Sequence, residues 1–172
     1  PEPAGELQRM IEDTKQKLAA AASRDRASLE AELERLEKRK ETHLPLLVKL
    51  AAMARDGRKV MLPLQNRPIP LICDVWAKPD LGSGCVKITP GHDPNDYDVW
   101  TRHREEIEII NILNPDGTLN ENAGSYRGQD RFAARGKVVA DLKAQGLLET
   151  IEDRAVEIGH SDRSKTPVEP YL

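Results

Sequence analysis

The run Gly82-Ser83-Gly84-Cys85-Val86-Lys87-Ile88-Thr89-Pro90-Gly91-His92-Asp93-Pro94-Asn95-Asp96-Tyr97 concentrates more chemistry than any other stretch of this chain. Cys85 to Thr89 is β-branched and alternating, so it reads as a strand, and the Pro90-Gly91 break after it ends the extended segment. Asp93 then stands where a helix N-cap belongs, with Asp96 in the first turn. Lys87 and Thr89 are two apart on the strand and project to one face, while Asp93 and Asp96 are three apart and share a face of the helix. The expectation is that these four polar side chains point into one cavity.

Outward from this run, the chain before it is strand-like and the chain before that is helical. Val60 to Leu64 and Ile69 to Trp76 read as strands separated by the turn Gln65-Asn66-Arg67-Pro68. Pro63, Pro68 and Pro70 cannot donate ladder hydrogen bonds, which predicts edge or bulged strands in a small irregular β-barrel. Leu46 to Arg55 is amphipathic and stops at Asp56-Gly57. From Ala4 to Glu41 the composition is Ala, Leu, Glu, Lys and Arg, with the apolar stripe Leu7, Ile11, Thr14, Leu18 and a second stripe Leu29, Leu33, Leu36. Two antiparallel helices joined at Ser23 to Arg26 account for both stripes. Glu30, Glu34 and Lys38 then fall on an exposed, charge-laced face; a solvated hairpin is preferred to a coiled coil that binds a partner.

Downstream, Ile107 to Leu113 reads as a strand running into the turn Asn114-Pro115-Asp116-Gly117. Asp130 is a candidate N-cap for one long helix, with Phe132, Val139 and Leu142 on one face and Gly146 as its stop. A last strand is expected over Val156 to Gly159, and an extended tail from Ser164. The organisation is therefore α/β: residues 1–57 form an N-terminal edge carrying the helical hairpin at about 6–41, and residues 58–172 form the core.

Composition narrows the function classes. With 26 Lys+Arg against 29 Asp+Glu the net charge is −3, so no global basic field drives nonspecific nucleic-acid binding and any RNA contact must be local. An RNA-binding protein of unrelated origin would need a stronger basic face. Cys73 and Cys85 belong to no metal-ligand or disulfide pattern and are read as two buried thiols. No apolar run approaches the ~20 residues that span a bilayer, and no signal-peptide pattern opens the chain. No membrane partner and a cytoplasmic setting are expected, and the start at Pro1 fits a piece of a longer chain.

Four blocks carry a family resemblance: the run 82–97; Ile112 to Asn122; Gly128-Gln129-Asp130-Arg131-Phe132 with Ala134-Arg135; and Gly159 to Ser164 with Glu169-Pro170-Tyr171-Leu172. In this order and spacing they resemble the editing domain of the valyl-tRNA synthetase family of class I aminoacyl-tRNA synthetases. Lys87 and Thr89 favour the valine enzymes over the related leucine and isoleucine enzymes. Ser83, Gly91 and Leu81 depart from the family's usual Thr, Ala and aromatic residue, and Leu81 puts in doubt a stacking contact with the terminal adenosine. Residues from about Glu12 to Leu50 have no counterpart in the common pattern, so the hairpin looks like an insertion. The resemblance places a threonine-rich strand shortly before residue 1, and the core is expected to end at the return to the catalytic domain.

The resemblance implies a domain that hydrolyses threonyl-tRNA misacylated on the valine tRNA, within an enzyme that ligates valine to tRNA using ATP. The signatures of the ligation site do not occur in the chain, so ATP and magnesium belong to that other domain. Editing itself implies no cofactor and no metal. Lys87, Thr89, Asp93 and Asp96 are implied as catalytic, Asp96 toward the α-ammonium and the others toward the threonyl hydroxyl and the attacking water. Leu81, Gly82, Gly84 and His92 are implied to line the substrate; His92 is open between a general base and a structural histidine, the latter preferred. The implied partners are the tRNA acceptor end carrying threonine and the rest of the synthetase chain. Arg127, Arg131 and Arg135 are spaced by four and fit phosphates of the acceptor end, a solvated face being the equal alternative. Trp76 and Trp100 are candidates for base stacking, with core packing preferred. His160-Ser161-Asp162 reads as a turn rather than a triad. The competing function is a non-catalytic structural module or one that only binds the acceptor end.

Overall fold

Leu7, Ile11 and Leu36 lose nearly all their solvent exposure because two helices bring their stripes together. In the computed structural model, which describes residues 2–153, 155 and 159–168, helix α1 spans Pro3–Ala20, α2 spans Ser23–Thr42 and α3 spans Leu44–Arg55. Met10, Leu33 and Leu44 pack around the three buried residues. Full burial of a leucine contributes on the order of 1.5–3 kcal/mol, so this small cluster outweighs the surface ion pair Lys15–Glu37 at 2.9 Å, which is worth at most about 1 kcal/mol. The α1–α2 link is only Ala21 and Ala22, shorter than the polar joint at 23–26, which is itself the first turn of α2.

The chain divides into two compact units, Pro1–Val60 with Pro68–Lys87 and Met61–Arg67 with Ile88–Leu172. In the first, two arginines of α2 reach the loop 78–81. Arg39 donates from Nε and Nη2 to the Pro79 carbonyl at 2.9 and 2.7 Å, and Arg35 donates to the Asp80 carbonyl at 2.7 Å. Lys78 pairs with Glu6 of α1 at 3.3 Å. Helix α3 ends as expected at Gly57, whose φ of +67° no side chain favours.

The second unit is built round Leu113, Leu119, Ala123, Tyr126 and Ala134, with Leu64, Ile112 and Val138 against them. Helix α4 spans Pro94–Arg102, a 3-10 helix spans Glu121–Tyr126, and α5 spans Arg131–Ala144. The expected caps are present: Asp93 accepts the amides of Asn95 and Asp96, and Asp130 accepts those of Phe132 and Ala133. The Asn114–Gly117 turn closes with Gly117 donating to Asn114 at 2.9 Å, and the bridge Leu113–Leu119 forms beyond it. Of the three residues expected on one face of α5, Val139 and Leu142 are half-buried and Phe132 is 53% exposed; Ala134 is the buried residue of the helix, with Val138 half-buried beside it.

The α/β class holds, but the expected barrel does not. Among the described residues the sheet has two strands, β1 at Lys59–Leu62 and β2 at Arg67–Pro70, joined by a turn at 63–66. Leu71 donates to the Arg58 carbonyl at 3.1 Å, so odd-numbered residues of β2 face β1. Pro68 and Pro70 therefore sit on the outer edge, which offers carbonyls and no amides, and no third strand can pair there in register. The other expected strands, at 71–76, 85–89 and 107–112, form no strand and join no ladder, and Val75 and Trp76 lie in a turn, while a closed barrel needs both edges of every strand paired.

With no second layer over these segments, Cys73 and Cys85 are exposed rather than buried, and Trp76 is 43% exposed rather than core. Trp100 does pack: its Nε1 donates to Ile107 at 3.0 Å and its ring lies 5.1 Å from Tyr97. The strand expected at 156–159, Gly159 apart, and the block 169–172 lie outside the described residues. The tail before them is a tight hairpin and not a plain extended segment. His160 bridges Pro167, and Ser161 donates to Thr166 at 2.9 Å, so the turn lies at 162–164 and only Asp162 of His160-Ser161-Asp162 falls in it.

Candidate functional site

The Pro90-Gly91 break turns the chain so that Thr89 meets the first turn of α4. Asp96, 7% exposed, accepts at Oδ2 the Thr89 N–H at 2.7 Å and the Thr89 hydroxyl at 3.1 Å. Asp93 faces the same helix start, its Oδ1 taking the Asn95 and Asp96 amides at 2.8 and 3.4 Å. Both carboxylates thus sit where a helix N-terminus favours negative charge.

His92 lies inside this turn. Its N–H donates to the Thr89 carbonyl at 3.1 Å, and its Nε2 accepts the Ile112 N–H at 3.0 Å. Gly91, just before it, approaches Ile110 so closely that a Cβ there would stand 2.9 Å from the carbonyl oxygen. Segment 111–113 is held from its other side by asparagines: Asn120 and Asn122 donate from Nδ2 to the Asn111 carbonyl at 3.0 and 2.8 Å. Reading residue types along the chain missed this support. Its only trace there is the crowding of asparagine at 111, 114, 120 and 122.

Thr89, His92, Asp93 and Asp96 are therefore brought together in the second unit. Lys87, Leu81, Gly82 and Gly84 belong to the first. Lys87 is exposed, and because 85–89 joins no ladder, its spacing from Thr89 does not by itself put the two side chains on one sheet face. Gly82 and Gly84 form a tight loop in which Gly84 donates to the Leu81 carbonyl at 2.8 Å, and Leu81 is 62% exposed. Gly84 has a second reason to be glycine besides its φ of +79°: a Cβ would stand 2.7 Å from a methyl of Leu47.

Of the three arginines, Arg127 and Arg135 are exposed, and Arg131 begins α5 with its guanidinium carbon 4.5 Å from the Phe132 ring centroid and its N–H donating to Gly117 at 3.3 Å. Arg131 and Arg135, four apart on α5, share a face. A separate groove of about 610 Å³ is lined by Met61, Leu64, Tyr126, Asp141 and Leu147 among others, and by none of Thr89, His92, Asp93 or Asp96. In it the Tyr126 hydroxyl donates to Asp141 at 2.7 Å, and that carboxylate pushes the phenol above its ordinary range. Among the described residues no three His, Cys, Asp or Glu side chains group as a metal site, and no helix is long and apolar enough to cross a membrane.

The pattern of the leucyl-tRNA synthetase editing domain matches residues 11–156. The valine–tRNA ligase of Rhodopirellula baltica is 52% identical over 172 residues, which is all of this chain and 16% of that protein. Those of Oceanobacillus iheyensis and Bacillus subtilis are 50% and 51% identical over 116 residues, 67% of this chain and 13% of each relative. The chain thus spans about a sixth or less of the length of these curated relatives.

Proposed function

Because the chain belongs to the family of aminoacyl-tRNA synthetase editing domains and is similar to a segment of valine–tRNA ligases, we propose that it hydrolyses threonine wrongly esterified to the valine-accepting tRNA. An apolar synthetic pocket cannot strongly reject an isostere that adds a hydroxyl, a limit for which valine enzymes are themselves the standard example. A second pocket must then select for that hydroxyl. Polar groups that valine leaves unpaired there each cost roughly 1–3 kcal/mol, which excludes the correct product.

The observation that carries the reading is the buried Asp96 carboxylate at the α4 N-terminus, fixed by Thr89 beside the Asp93 cap. In the proposal this anion receives the α-ammonium of the threonyl ester. Thr89, Asp93 and Lys87 together serve the threonyl hydroxyl and the attacking water. An activated ester asks only for an oriented water and support of the developing oxyanion, so no covalent nucleophile, metal or cofactor takes part. Arg127, Arg131 and Arg135 serve phosphates of the acceptor end, and the rest of the synthetase chain performs ATP-dependent ligation. The stretch left out of the 116-residue matches is assigned to the helices α1 to α3.

The test is deacylation of preformed threonyl-tRNA by three proteins: this chain, the chain extended N-terminally through a threonine-rich strand, and the extended chain with Asp96→Ala. Weak activity in the first, strong activity in the second and loss in the third are expected. No hydrolysis by any of them, with acceptor-end binding retained, would replace this reading by a non-catalytic binding module.

A further inference from the structure

We infer that His92 is a positioning residue, whose imidazole seats the Thr89–Asp96 turn on segment 110–113 and thereby sets the pose of the polar groups that meet the aminoacyl ester. The role in hydrolysis rests on the editing reading, whereas the geometry does not.

A backbone amide donates only to a ring nitrogen that has a free lone pair. With Ile112 N–H on Nε2 at 3.0 Å, that nitrogen is unprotonated, and in the neutral ring the proton sits on Nδ1. The lone pair a general base would offer to water is thus already engaged, which decides between the two roles the sequence left open for His92. The contact is one of several that tie the turn down. The same residue's N–H holds the Thr89 carbonyl at 3.1 Å, so His92 links Ile112 directly to the residue whose N–H and hydroxyl fix Asp96. Gly91 adds a close approach to the Ile110 carbonyl that leaves no room for a methyl group.

Segment 111–113 is a firm support. Asn111 Oδ1 accepts the Leu113 N–H at 2.8 Å, Asn120 and Asn122 hold the Asn111 carbonyl, and Asn120 N–H donates to the Ile112 carbonyl at 2.9 Å. Leu113 is itself buried in the core. Rigidity therefore passes from the core through Ile112 and the imidazole into the turn.

Nitrogen NMR of the chain at neutral pH is expected to show His92 Nε2 as the lone-pair-bearing nitrogen and the Ile112 amide slow to exchange. His92→Ala should move the Thr89 and Asp96 amide resonances. In the N-terminally extended chain it should lower kcat for threonyl-tRNA by about 10- to 100-fold, the scale of small misplacements of reacting groups, with KM little changed. His92→Gln, whose Oε1 can accept the same amide, should restore both the resonances and kcat. A protonated Nε2, or unmoved Thr89 and Asp96 resonances in His92→Ala, would overturn the inference. So would a His92→Gln variant with restored resonances and no restored kcat, because imidazole chemistry would then be required. If the parent protein deacylates nothing, the editing reading fails and the resonances alone decide the positioning role.

Discussion

Removing the Asp96 carboxylate should weaken the fold of the second unit as well as any activity, because its Oδ2 accepts two bonds from Thr89. Hydrogen bonds to a charged group are worth roughly 1.5–3 kcal/mol each when shielded and less where water can replace them. Thr89 is largely exposed while Asp96 is 7% exposed, so the two bonds at 2.7 and 3.1 Å together are assigned about 2 kcal/mol. Asp96→Ala is therefore expected to lower stability by about 2 kcal/mol, or the melting temperature by about 4–8 °C at 2–4 °C per kcal/mol. Thr89→Val keeps the backbone bond and should cost about 1 kcal/mol. The double variant should cost about 2 kcal/mol and not 3, a coupling near 1 kcal/mol read from a urea double-mutant cycle. Strict additivity, or an Asp96→Ala variant within about 0.5 kcal/mol of the parent, would show that the carboxylate does not hold Thr89 in solution.

Leu36→Ala removes a fully buried side chain from between α1 and α2 and should cost about 2–4 kcal/mol in urea unfolding; a loss under about 1 kcal/mol would mean that the three-helix cluster is not a packed core. Asp116 accepts the Thr118 hydroxyl at 2.7 Å and its N–H at 2.9 Å, which hold its carboxyl below the usual range, the hydroxyl contributing most. Its stabilisation is then complete above the unfolded carboxyl's value and is lost as pH falls through the lower, folded value. Thr118→Val should raise the Asp116 midpoint in a carbon-detected NMR titration, and an unmoved midpoint would assign the depression elsewhere.

What was legible in the sequence was whatever is decided within a few residues. Asp93 and Asp130 cap α4 and α5 because an N-cap needs only its own carboxylate and the next three amides, and Gly57 and Gly146 end their helices because a positive φ is a local demand. The helix stripes were legible for the same reason: Leu7, Ile11 and Leu36 bury one another. Of the strands only the β1–β2 hairpin was legible, and that in part; Cys85 to Thr89 has a strand's composition, but a ladder depends on a partner edge that composition does not reveal. Phe132 misled for a related reason. Size suggested burial, yet the small Ala134 is what lets α5 approach the core, and Phe132 stays outside under Arg131. At the candidate site the residue types and the helix start were readable. That Asp96 binds Thr89 and His92 binds Ile112 was not, because each bond closes a loop whose shape no short pattern encodes.

The guanidinium bonds from Arg35 and Arg39 to the carbonyls of loop 78–81 make that loop depend on α2. A descendant that deleted α1 and α2 would strip the donors from two backbone oxygens at the threshold of the Gly82–Gly84 loop, and each would need a new donor or water before the loop settled again.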